Sequence, residues 1–234
     1  MRTVLVLACV ALALTACTQP AASRPVVFAA ASLNQVLPEI QPDASYSFDG
    51  SFGLVDQIAE GAPADVLATA DRDTMDRAVD EGLVVGEARM FATNHLVLVV
   101  PAGNPAGVTG FDASLAGAKL VVCAREVPCG AAAYRLAADH GVALRPVSEE
   151  TKVSDVLGKV ASGEADAGLV YVTDAATSDA VETLPVPGAE EHPNTYWVAV
   201  VKGAAHPGTA RAYADRLAGE WGAQLQVFGF GSPS

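Results

Sequence analysis

The stretch Val26-Val27-Phe28-Ala29-Ala30-Ala31-Ser32-Leu33-Asn34-Gln35 reads as a buried strand that runs straight into a helix. Val26 to Ala30 is a continuous apolar run, the pattern of a strand covered on both faces. Ser32 and Gln35 have the spacing of a capping box at a helix start, and the free amides of such a helix end attract anions. The same grammar recurs at Tyr46-Ser47-Phe48-Asp49-Gly50-Ser51, followed by Leu54, Val55 and Ile58 at helical spacing. A serine that only caps its helix is the plainer reading of each junction. Two such ends close together make an oxyanion site a candidate.

Working outward, Pro38 is expected to interrupt the first helix. Gly61 and Pro63 close the second. Val66 to Thr69 is a strand, and Asp71 caps a helix with Met75, Ala78 and Val79 on one face. Leu96 to Val100 is a strand too apolar for a sheet edge, and Lys119 to Cys123 is another. Gly130 to His140 is a helix, and Thr151 caps the helix that turns Val153, Val156, Leu157 and Val160 inward. Ala167 to Val172 is a strand with Tyr171 at its carboxyl end, where open α/β sheets bind ligands. Tyr196 to Val201 returns the chain to the first lobe, and Thr209 to Gly219 is a last helix. The alternation predicts an α/β fold with parallel sheets flanked by helices.

The 234 residues, 51% hydrophobic and 6% aromatic, suffice for one large domain or two lobes. The formal charge of -13 excludes nucleic acid and anionic membrane surfaces as partners, since both would repel the chain. A bound anion must therefore be held by local dipoles. His95, His140, His192 and His206 lack ligand spacing, so no metal is assigned. Arg125 reads as a solvated loop residue.

Residues 1–17 combine Arg2, an apolar run from Val4 to Leu14 and Leu14-Thr15-Ala16-Cys17. This resembles a bacterial lipoprotein signal peptide, which implies cleavage before Cys17, lipid on Cys17 and a tether over 18–25. A plain secretory peptide is the alternative. Once Cys9 leaves with the signal and Cys17 is lipidated, Cys123 and Cys129 remain. In an exported chain this close pair reads as a disulfide rather than a metal site.

Several blocks occur in a fixed order: Val27 to Leu33, Gly61-Ala62-Pro63-Ala64-Asp65-Val66, Val127-Pro128-Cys129-Gly130, Gly163 to Tyr171, and Phe228-Gly229-Phe230-Gly231. Together they resemble the periplasmic molybdate-binding proteins of ABC transporters (the ModA family) from Val26 to the end. The resemblance implies a two-lobed type II periplasmic-binding-protein fold, each lobe a mostly parallel sheet flanked by helices. Lobe 1 would span 26–93 plus 198–234 and lobe 2 would span 94–197. The ligand, molybdate or tungstate, would lie in the interlobe cleft. It would be held by the hydroxyls and amides of Ser32 and Ser51, the backbone amides at Cys129 and Val153, and the hydroxyl of Tyr171. No Lys or Arg is among these.

The resemblance further implies no catalysis and no cofactor. It implies a permease partner, a monomer, and a place on the outer face of the cell membrane. Sulfate or phosphate in the same fold is the alternative ligand. A secreted hydrolase is disfavoured because no Gly-x-Ser-x-Gly elbow is present. Cys129 and Cys123 depart from the Ala and Gly usual in the family, and Asp49 and Phe52 flank Ser51 where small polar residues are preferred. A carboxylate beside a dianion opposes binding unless it points away.

Overall fold

A computed structural model describes residues 24–233; the expected signal peptide, most of the tether and Cys17 lie outside them. β1 (Val26–Ala30) leads into a 3-10 turn over Ala31–Leu33 and then α1 (Val36–Ile40). β2 (Ser45–Asp49), α2 (Ser51–Ala59), β3 (Val66–Thr69), α3 (Arg72–Asp80) and β4 (Val84–Asn94) follow. The chain crosses at His95 into β5 (Leu96–Pro101), β6 (Leu120–Cys123), α4 (Pro128–Asp139), β7 (Ser148–Glu150), α5 (Val153–Ala161), β8 (Ala167–Tyr171), α6 (Val172–Ala175) and β9 (Val181–Pro185). β10 (Asn194–Val201) crosses back, and α7 (Pro207–Arg216) precedes a short helical tail.

The strands form two five-stranded sheets, ordered β2-β1-β3-β10-β4 and β7-β6-β8-β5-β9. Each has three parallel strands, then one reversed strand, β10 or β5, and an edge strand, β4 or β9, that pairs antiparallel with the reversed one. β10 pairs with β4 from Asn194 onward, so the return crossing precedes Asn194 rather than falling at 197/198. One apolar core fills lobe 2, and two cores cover the faces of the lobe 1 sheet.

Several local expectations are corrected. Pro38 lies inside α1, near its N-terminal end, where the first amides have no intrahelical partner to lose. Val79 is 43% exposed, because only Met75 and Ala78 of its group reach the core. Thr151 does not cap α5: Lys152 holds that position, and no side chain caps it. Asp71 does cap α3, accepting from the Thr74 amide at 2.9 Å.

Two sequence blocks have structural roles. The buried Asp65 carboxylate accepts the amides of Val26 at 2.9 Å and His206 at 3.1 Å, tying the start of β1 to the start of α7. Gly231 pairs with Thr93 of β4 through two backbone hydrogen bonds, which seats Phe230 edge-on against Tyr196, 5.4 Å between ring centroids.

Candidate functional site

The carboxyl ends of β1, β2, β6, β7 and β8 all point to the crevice between the two sheets, and each delivers one of the residues singled out from sequence. Ser32, Ser51, Cys129, Val153 and Tyr171 line a single cavity together with Gly50, Val127, Thr151 and Lys152. Its volume is about 20 Å³. That suits a ligand of a few atoms, not the organic ligands that fill pockets of roughly 300–1,000 Å³. A larger crevice of about 510 Å³ opens beside it, lined in part by Ser32, Asp174 and Phe230.

Donors converge on the small cavity. α2, α4 and α5 begin at its wall, and the amides of their first turns have no partner within the helix. The aligned peptide dipoles add partial positive charge at each end. Tyr171 is 1% exposed, and its hydroxyl has no hydrogen-bond partner among the described residues. Burial pushes this phenol well above its usual pKa, so it stays protonated as a donor. A buried donor without an acceptor is costly.

The two serines do something other than capping. Ser32 Oγ lies 2.9 Å from the Tyr196 hydroxyl, and its 3-10 turn has no side-chain cap. Ser51 is the first residue of α2, with Gly50 at the cap position, and its Oγ accepts the Ala70 amide at 3.0 Å. Both side chains are thus fixed from behind. The Tyr196 hydroxyl oxygen accepts from Asn94 Nδ2 at 3.4 Å and its proton can go to Ser32, so Asn94, Tyr196 and Ser32 form a chain of hydrogen bonds leading to the cavity.

Asp49 does not face the ligand space unpaired. Its Oδ1 accepts the Gly50 amide at 2.8 Å and lies 3.2 Å from Lys152 Nζ, while Oδ2 accepts from Gln57 at 3.1 Å. Phe52 packs under the Arg77 guanidinium. Lys152 is the one cationic residue of the cavity wall, and its charge is paired with Asp49. Arg125 stacks on Tyr134. Cys123 and Cys129 are joined by a disulfide that ties the end of β6 to the first turn of α4. Closing so short a loop stabilises the fold by roughly 2 kcal/mol.

Residues that local sequence reading missed hold the two lobes together. Asn194 Nδ2 donates to the carbonyls of Ala70 at 3.2 Å and Pro128 at 3.4 Å, and Asn94 Nδ2 donates to Thr173 Oγ1 at 2.7 Å. Tyr196 stood in the sequence only as the start of the segment that returns the chain to the first lobe. The one available signal was that a buried tyrosine hydroxyl needs a partner. No group of three or more His, Cys, Asp or Glu among the described residues could hold a metal ion.

A family model described as bacterial extracellular solute-binding protein matches residues 25–230. The molybdate-binding protein ModA of Mycobacterium tuberculosis is 40% identical over 220 residues, covering 89% of this chain and 84% of that protein. Two solved structures share the fold. The periplasmic molybdate-binding protein of Azotobacter vinelandii has a TM-score of 0.75 at 22% identity, over 90% of this chain and 100% of that one. The tungstate ABC transporter protein of Geobacter sulfurreducens has a TM-score of 0.66 at 19% identity, over 88% and 98%.

Proposed function

Since this chain belongs to the bacterial extracellular solute-binding protein family, we propose that it captures molybdate or tungstate outside the cytoplasm and delivers it to an ABC permease. The observation that carries this reading is the orphaned hydroxyl of Tyr171, in a cavity for a few atoms ringed by helix amides. Such a site offers donors and no carboxylate acceptor, so it suits a fully deprotonated tetrahedral oxyanion. Holding the anion with neutral donors avoids the desolvation cost of a buried cation. Ser32, Ser51 and Tyr171 would donate through hydroxyls, and Ser32, Ser51, Cys129 and Val153 through amides. No cofactor takes part.

A hydrolytic role finds no support in the geometry. Ser32 Oγ faces a tyrosine hydroxyl and Ser51 Oγ accepts an amide proton, so neither has a general base, and no histidine lines the cavity.

A thermal-shift panel of oxyanions on the soluble domain tests the ligand class. At a hundredfold excess over its dissociation constant, molybdate should stabilise the domain by roughly 2.7 kcal/mol. That is a rise of about 5–10 °C in midpoint for a chain of this size. Tungstate should match it. Sulfate is smaller and cannot reach the donors of both lobes at once; leaving two unpaired at about 1–3 kcal/mol each weakens binding by roughly a hundredfold or more. Phosphate brings a hydroxyl to a site without an acceptor. Equal shifts by sulfate or phosphate would make this chain a carrier of those ions instead.

The membrane attachment we propose rests on Leu14-Thr15-Ala16-Cys17. Cys17→Ala should release the protein from the membrane fraction, or block its maturation, without changing anion binding by the soluble domain. Attachment insensitive to the substitution would rule out a lipid anchor. A monomer is the proposed working form, since one chain supplies every wall of the cavity.

A further inference from the structure

The geometry points to Gly50 as the residue that sets how far the two lobes close. Its backbone, φ -58° and ψ 136°, is open to any residue, so chain conformation does not call for glycine here. Space does. A Cβ added at Gly50 would lie 2.3 Å from the Thr151 carbonyl oxygen and 3.4 Å from its carbon. Gly50 follows β2 in lobe 1, whereas Thr151 follows β7 in lobe 2, so the close approach is between lobes and not within either. The opposing atom is main chain, and no side-chain rotation can relieve the clash.

On the same seam the neighbours Asp49 and Lys152 form their ion pair across the lobes, so the attraction is seated beside the point of contact. Substituting alanine would hold the seam open by roughly 1 Å, since carbon contacts settle near 3.5 Å. An opening of that size takes hydrogen bonds from one lobe beyond bonding distance whenever the other lobe keeps its own. Gly50 is thus a positioning residue. It lets the Ser51 amide on one side and the Cys129 and Val153 amides on the other reach a single small ligand.

This inference rests on the oxyanion reading above, because closure is read through the ligand. The test measures the molybdate dissociation constant, the radius of gyration by small-angle scattering with and without molybdate, and the ligand-free melting temperature. It compares wild type, Gly50→Ala, Gly50→Ser and a control, Gly158→Ala, whose added Cβ in α5 meets nothing within 4 Å. We expect Gly50→Ala and Gly50→Ser to melt like wild type without ligand, to bind molybdate roughly a hundredfold more weakly, and to contract less when it is added. Gly158→Ala should bind as wild type does. Affinity of Gly50→Ala within about threefold of wild type would overturn the inference. So would a collapse of ligand-free stability in both Gly50 variants, which would make the glycine a requirement of folding. A wild-type protein that ignores molybdate removes the oxyanion reading and this inference together; a wild type that binds, with a Gly50→Ala that binds equally, removes the inference alone.

Discussion

Tyr171→Phe is expected to weaken molybdate binding by roughly ten- to a hundredfold while leaving the ligand-free protein as stable as before, or more so. The two effects have opposite signs for one reason. In the empty protein the Tyr171 hydroxyl is buried without a partner, so deleting it removes a desolvated polar group at a gain of about 1–3 kcal/mol. With an anion present, the same hydroxyl donates to a charged acceptor, a bond worth about 1.5–3 kcal/mol. Phenylalanine keeps the ring, which sits edge-on to Tyr196 with 6.1 Å between centroids. Calorimetric titration and thermal melts on one preparation separate the effects. A variant that binds as tightly as wild type would show that the hydroxyl does not touch the ligand. A variant less stable when empty would show that it serves the fold.

Asp174→Asn is expected to remove a dependence of stability on pH. Asp174 is 8% exposed, its Oδ2 has no partner among the described residues, and burial pushes its pKa up to about 7 against the pull of backbone amides in its own turn. Unfolded, the group titrates near its ordinary value of 3.8. Between these values the folded chain holds a proton that the unfolded chain has released. Stability is therefore fullest below about pH 4, falls as pH rises toward 7, and is flat above. At about 1.36 kcal/mol per unit the loss reaches up to roughly 4 kcal/mol.

The asparagine cannot titrate. Urea unfolding from pH 4 to pH 8 should find wild type and variant close at the acid end, and the variant ahead at the alkaline end. Matching slopes would mean that Asp174 is ionised and solvated in the folded protein. The carboxylate also raises the pKa values of Tyr171 and Tyr196, so it is felt at the cavity. Its neutralisation should strengthen anion binding at pH 8.

The frame of this fold is written locally. An apolar run such as Val26 to Ala30 has to be a covered strand, and a strand ending at a helix start has to present free amides, so the carboxyl-end positions of Ser32, Ser51 and Tyr171 follow from short windows of sequence. β4 escaped that reading because it is an edge strand: Gly86, Glu87 and Arg89 leave it without an apolar run, and its burial comes only toward Asn94. The serine roles escaped for another reason. Ser32 is held by a partner 164 residues away, and Asn194 by a carbonyl 124 residues away, so no local pattern signals either bond. Gly50 stands in the sequence only as the residue before Ser51, since the Thr151 carbonyl that excludes a side chain there belongs to the other lobe.

On the proposed function, one tetrahedral oxyanion sits between the lobes on neutral donors. Anomalous diffraction from crystals grown with tungstate tests it most directly, because the metal marks its own position. A single strong peak is expected, enclosed by the starts of α2, α4 and α5, with oxyanion oxygens about 2.7–3.2 Å from the Tyr171 hydroxyl and from the amides of Ser51, Cys129 and Val153. A peak seated instead against lysine or arginine side chains elsewhere, or an empty cavity at saturating tungstate, would contradict it.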